Sequence, residues 1–467
     1  MSASHVMQPG ARFAPWRREF LALMALGLPM AATQLVQFSI NTIDVLMIGR
    51  LGPDYLAGAS LGLVVYYAMF LLGLGPAMAV TPLVAQTLGA DAENHRDARR
   101  SVRMGLWASV MFCAPALIIF LFTEEIERAL GQPAYLAKMA EPYVLALAPG
   151  LPFALGVITL RNYLAAIERT RAPLYFIIGT TVLNAFLNYL LIYGNWGFPR
   201  LELVGAGIAS SLSHAVGFGL LAAYAHYEKR SRQFDLFTRI WRPDWDRLRE
   251  VFRLGWPIGV TFAFEALLFN AAILLMGRLG VNEVAAYQVA LNVAAIAFMG
   301  PLGIAMAGAT RVGLKAGARD DVGVRRAALV SIFACIGAIM IVAVPMMLAP
   351  NFIAGLYLNA DQPENAAVIA LVVSFLPIAA AFALFDATQV AANQALRGLK
   401  DVRVPMFITF ISYWVIGFTI SAWLGLSTDL AARGVWFGLL AGLAAASVML
   451  SARLWSITRD AAPKSPA

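Results

Sequence analysis

Long stretches without a charged side chain govern what this chain can become. Residues 55 to 90, 172 to 199, 284 to 310 and 327 to 360 contain no Asp, Glu, Lys or Arg. Each exceeds the ~20 residues that carry an α-helix across a ~30 Å hydrocarbon core, and none alternates apolar with polar residues as a barrel strand would. A helix satisfies its own backbone hydrogen bonds in oil, so runs of this kind are expected to fold as transmembrane helices. Composition removes the soluble alternative: 60% of residues are hydrophobic and 13% charged, about half the ~25% charge of soluble domains.

Charged residues, Pro and Gly place helix ends at 20–49, 55–82, 104–123, 136–160, 172–194, 204–227, 250–277, 284–310, 327–349, 366–394, 404–426 and 434–455. The first of these is too long for a signal-peptide core and ends at an arginine instead of a cleavage site. Of the 35 Lys and Arg, 29 fall in the N-terminus, the even-numbered loops and the C-terminus; the other side keeps only Arg50, Arg128, Lys138, Arg200, Arg278 and Arg433. Retention of basic residues in the cytoplasm therefore puts both termini there. The net charge of +8 is spread between spans instead of along a soluble face, which argues against nucleic acid as a partner. Cys113 and Cys335 sit in separate apolar runs and suit small buried side chains better than a disulfide or metal site.

The chain also repeats itself. LGLPMAAT at 26 to 33 lies on LGWPIGVT at 254 to 261, GRLG at 49 to 52 on GRLG at 277 to 280, and LGLGPAMA at 72 to 79 on GPLGIAMA at 300 to 307, all at an offset of 228. A duplicated six-helix unit follows. An even number of spans in each copy makes the copies parallel, related by a pseudo-two-fold axis along the membrane normal. The expected layout is an all-α integral membrane protein of twelve transmembrane helices: an N-terminal lobe over 1–227, a cytoplasmic linker over 228–249 and a C-terminal lobe over 250–467. The segment from Glu228 to Arg253 carries eight basic and five acidic residues with Phe234, Phe237, Trp241 and Trp245, as expected of a linker lying on the membrane surface, with a calmodulin-type or lipid-binding helix as the alternative.

Three carboxylates lie inside spans, where insertion costs at least ~2.5 kcal/mol each: Asp44 in helix 1, Glu265 in helix 7 and Asp386 in helix 10. Counting from Arg253 and Arg397 at ~1.5 Å per residue puts Glu265 and Asp386 both ~17 Å deep, so the two could share a site. Asp44 lies closer to the external end, level with Asn184 and Asn188, which are one turn apart on helix 5 and share a face. A carboxylate with two amide oxygens suits a hard cation. Gln37 occupies the repeat position of Glu265 and shares the helix 1 face with Asp44. No Walker, HExxH or GxSxG motif occurs, so an ion gradient is the expected energy source and no enzyme activity or cofactor is expected.

In this order, NTIDVLMIGRLG, LNAFLNYLLIYG, GAGIASSLSH, FAFEALLF, FDATQVAANQALRGLKD and GVWFGLL resemble the multidrug and toxic compound extrusion (MATE) family, in its bacterial, NorM-like branch, from about residue 16 to 457. The resemblance implies Na⁺ or H⁺ coupling at Asp44, Asn184 and Asn188 in one lobe and at Glu265 and Asp386 in the other. Na⁺ would bind at Glu265 with Asp386 or at Asp44 with Asn188. Gln37, Phe382 and Gln389 become candidates to line the substrate cavity, with Phe382 where a tyrosine is expected in close relatives. The implied cargo is cationic, amphipathic drugs or dyes, and the implied setting a bacterial inner membrane, with the protein acting as a monomer. Two alternatives stand beside it. A flippase for a lipid-linked saccharide would want a basic cavity, and a lipid-metabolising membrane enzyme would want ligand or acid/base clusters at the membrane face.

Overall fold

The computed structural model describes residues 9 to 359 and 362 to 459. Lys464, the last basic residue counted at the C-terminus, lies outside the described residues. All twelve expected helices are present, and no strand occurs among the described residues. They are α1 (Ala14–Gly49), α2 (Pro53–Ala90), α3 (His95–Phe120), α4 (Ala134–Ala166), α5 (Arg171–Tyr193), α6 (Glu202–Tyr227), α7 (Trp245–Leu279), α8 (Val281–Gly317), α9 (Asp321–Leu348), α10 (Pro363–Gly398), α11 (Arg403–Ser427) and α12 (Ala431–Arg459).

Several helices outrun the ends drawn at charges. α3 starts nine residues earlier than the expected position 104, and α8 runs on past Arg311 and Lys315. A charged residue stops an apolar run but not a hydrogen-bonded ladder, so these helices continue into the polar zone. At the opposite end the connections are tight. Gly52 (φ 134°) joins α1 to α2 and Gly280 (φ 159°) joins α7 to α8, and the two glycines are one repeat apart. The backbone conformation at both positions calls for glycine.

The chain forms two compact units whose boundaries fall inside α1 and α7. One takes in the chain up to Ala31, Leu267–Asp401 and the part from Phe407 onward; the other is Ala32–Ala266 with Val402–Met406. In the first unit the early half of α1 rests on α8: a Cβ at Gly27 would lie 3.3 Å from the Cα of Ile304, and one at Gly303 would overlap the Ala31 backbone. In the second unit the early half of α7 rests on α2: a Cβ at Gly255 would lie 2.5 Å from Cα and N of Pro76, and one at Gly75 would overlap Gly255 and Gly259. Gly27 and Gly255, Gly75 and Gly303, and Pro76 and Ile304 are each separated by 228 residues. The same small-residue contact, which lets helix backbones approach closely in oil, is thus made once in each unit by repeat-related residues.

The first unit is centred on α10, which packs on α8, α9 and α12 with Tyr287, Phe375, Phe382 and Trp436 forming its aromatic core. Its piece of α1 is also tied by a partly buried bidentate ion pair: Arg311 Nε and Nη2 donate to Glu19 Oε1 and Oε2 at 2.7 and 2.9 Å. The core of the second unit is built around Tyr66, Phe120, Tyr143 and Leu151. Cys113 and Cys335 are free thiols, half-buried and buried respectively.

A candidate cation site

In the second unit α1 carries Gln34, Gln37, Asn41 and Asp44 at steps of three and four, which lines them along one helical face. Each has a partner. At the far end, Asp44 Oδ1 accepts from Asn188 Nδ2 at 2.6 Å, and the Ser210 hydroxyl lies close to this carboxylate. Asn188 Nδ2 gives its second hydrogen to Asn184 Oδ1 at 3.2 Å, and Asn184 Nδ2 donates to Ser210 Oγ at 3.4 Å. One step back along α1, Tyr67 donates its phenolic hydrogen to Asn41 Oδ1 at 3.3 Å. The i, i+4 spacing of Asn184 and Asn188 on α5 turns both inward, where they are 2% and 0% exposed.

This network has more acceptors than donors. With both Nδ2 hydrogens of Asn188 spent, its Oδ1 is buried with no hydrogen-bond partner, a state that costs ~1–3 kcal/mol for a neutral group. The orphaned oxygen belongs to the residue that also holds the Asp44 carboxylate. A hydroxyl, an amide oxygen and a carboxylate form a hard-oxygen donor set. Of the residues in this network only Asp44 carries a formal charge, and among the described residues no three His, Cys, Asp or Glu side chains gather into a metal site. Such a set suits a monovalent cation or a proton.

The other end of the stripe holds a residue that sequence reasoning misplaced. With helix 4 ended at 160, Arg161 counts as a loop charge; the helix instead continues to Ala166, which puts Arg161 inside the span. Its Nη1 donates to Gln37 Oε1 at 2.9 Å and its Nη2 to Gln34 Oε1 at 2.8 Å. The partners of this guanidinium are amide oxygens, not carboxylates. Gln37, a candidate for lining the substrate cavity, is therefore engaged by a cation. The signal available in the sequence was weak: Gln34 and Gln37 form an unexplained polar pair in an apolar helix.

In the first unit Asp386 lies on α10 at 5% exposure, and Gln389, Asn393 and Arg397 continue its face at 2%, 4% and 5%. Arg397, used above to mark the cytoplasmic surface, stands one residue before the end of α10 at Gly398. Phe382 packs in the aromatic core, its ring centroid 5.7 Å from Trp436 and 6.1 Å from Phe269. Glu265 is half-buried near the end of the α7 segment that belongs to the second unit.

The MatE family model matches two stretches of this chain, residues 29–190 and 257–423, whose starts are separated by the same 228 residues as the internal repeat. "Probable multidrug resistance protein NorM" of Mesorhizobium japonicum is 39% identical over 449 residues, covering 96% of each chain. The protein of the same name from Rhizobium meliloti is 40% identical over 454 residues, again covering 96% of each. Among solved structures, a crystal structure of MATE in complex with MaL6 matches with a TM-score of 0.86 at 21% identity, over 95% of this chain and 97% of that one. The outward-facing conformation of a multidrug resistance MATE family transporter gives 0.85 at 20% identity, over 96% and 97%. The likeness to the solved structures concerns the fold.

Proposed function

The chain belongs to the MatE family of transporters, and on that basis we propose that it is a cation-coupled multidrug antiporter, exporting cationic amphipathic compounds by alternating access. The observation that carries this reading is the Asp44 carboxylate held against the donor-starved amide of Asn188. A Na⁺ ion would take Asp44, the Asn188 oxygen and the Ser210 hydroxyl as ligands. A proton would neutralise Asp44 and let it donate to the same amide oxygen. Either event removes an uncompensated negative charge from the span and so favours the state in which the acid is occupied. Glu265 and Asp386 serve as further acids whose occupancy is coupled to cargo release. Inward movement of one charge gains about 2.3 kcal/mol per 100 mV of membrane potential, enough to drive exchange. The protein works as a monomer in a bacterial inner membrane with both termini cytoplasmic.

The test is ethidium efflux from vesicles holding the purified protein, driven by a Na⁺ gradient in one set and a pH gradient in another. One gradient is expected to drive efflux; absence of efflux under both refutes cation-coupled export of such dyes.

Arg161 favours a second reading, in which the cargo is anionic and the family architecture works as a flippase for a lipid-linked pyrophosphate. A guanidinium inside the span would then hold the phosphate through bidentate hydrogen bonds. Dye export by the wild-type protein discriminates between the two, and Arg161→Met tests the place of the guanidinium. Under the antiporter reading it retains export of monocationic dyes, because the lost charge repels them. Loss of dye export with unchanged protein level would instead make Arg161 part of the cargo path.

A further inference from the structure

The segment between α6 and α7 is not a free linker but a folded cover on the first turns of α3. The Trp107 indole N–H donates to the Ile240 carbonyl at 2.7 Å, and Arg103 Nη2 donates to the carbonyl oxygens of Arg239 and Arg242, the latter at 2.7 Å. This docking collects positive charge. Arg99 and Arg239 lie close enough to Arg103 for their charges to repel. The nearby acids are already committed: Asp244 and Asp97 both bond to Arg100, at 2.5 and 2.8 Å. Arg100 in turn holds the Asp244 carboxyl below its ordinary value, so this acid remains ionised and occupied. Arg99 and Arg103 each have a buried Nε with no hydrogen-bond partner. Arg239 also holds a left-handed backbone, φ 55°, unfavourable for a residue with a Cβ.

Like-charge repulsion, two orphaned N–H donors and a strained turn all disfavour this arrangement in isolation, and an anion would relieve the first two together. We propose that Arg99, Arg103, Arg239 and Arg242 form a binding site for the phosphate of an anionic phospholipid. The surroundings select a lipid over a free anion. The uncharged run of α3 begins at Met104, directly after Arg103, which sets the cluster at headgroup height. Trp107 and Trp241 flank it, the second 71% exposed, and amphipathic indole rings favour that layer. Basic pockets beside spans on the Lys/Arg-rich side of a membrane protein are a recognised way of holding acidic headgroups.

The experiment uses the full chain in nanodiscs of phosphatidylcholine alone, of phosphatidylcholine with phosphatidylglycerol in equal amounts, and of phosphatidylcholine with inorganic phosphate in the buffer. Thermal unfolding and native mass spectrometry of retained lipid are the readouts. Phosphatidylglycerol is expected to raise the midpoint by a few degrees and to persist as a bound adduct, whereas inorganic phosphate does neither. The triple substitution Arg99→Gln, Arg239→Gln, Arg242→Gln, which leaves the tie through Arg103 in place, is expected to abolish both effects while keeping its midpoint in phosphatidylcholine. If the triple variant fails to fold, the exposed single substitution Arg242→Gln is expected to reduce the shift and the adduct. The proposal is overturned by an equal lipid effect in wild type and variant, by no lipid effect in wild type, or by inorganic phosphate reproducing the lipid shift.

Discussion

Replacing Asp44 by Asn is expected to abolish gradient-driven dye efflux while leaving the protein folded and slightly more stable. The two consequences share one cause. The substituted side chain retains an oxygen to accept from Asn188 Nδ2, the bond now made at 2.6 Å, and it adds an amide that can donate to the orphaned Asn188 Oδ1. Satisfying that oxygen should contribute about 1 kcal/mol. The formal charge that a cation or proton neutralises is gone, so occupancy can no longer shift the conformational equilibrium. Efflux in vesicles and thermal unfolding of the purified variant check the two halves separately. Export at wild-type rate would remove Asp44 from the coupling scheme, and a large fall in stability would show that the carboxylate is a structural element. Asp386→Asn, in the polar face of α10, is expected to lose efflux in the same way.

The second large effect concerns packing. Gly255→Ala is expected to prevent accumulation of folded protein, whereas Gly27→Ala, its repeat counterpart, is expected to be tolerated with a modest loss. The new Cβ at 255 would lie 2.5 Å from backbone atoms of Pro76, and no side chain can rotate away to make room. At 27 the nearest atom would be 3.3 Å away, a separation that a shift of a few tenths of an ångström accommodates. Overpacking typically costs ~1–3 kcal/mol where side chains can adjust, and rigid backbone on both sides pushes the first case beyond that range. Yield of monodisperse protein and its unfolding midpoint report the difference. Equal behaviour of the two variants would mean that the α7 contact with α2 is looser than the structure places it.

The contrast between these residues shows how far the sequence could be read. The twelve spans were legible because oil tolerates no bare charge, and the duplication because GRLG recurs whole. Asp44, Asn184 and Asn188 could be paired in advance, since depth and helical spacing are both counted along the chain. Helix ends were not legible where a charged side chain turns inward: Arg161 resembles a loop marker in sequence, yet it lies inside α4, which runs on to Ala166, and bonds to two glutamines. Such partners come from other helices, so no local pattern gives them. The passage of α1 and α7 between the compact units was also hidden. Its trace was the repetition of Gly27 at Gly255 and of Gly75 at Gly303, which signals close backbone contact but not with which helix.

That passage bears on ancestry. Before the two copies were joined, a lone six-helix ancestor would have had its first helix begin in one bundle and end in another, so it could bury that segment only by lending it to a twin and borrowing the twin's in return. Such a reciprocal loan is domain swapping, and the present chain keeps it as an internal exchange. The two copies now differ in their ionisable groups: one carries Asp44 at the position where the other has Ala272.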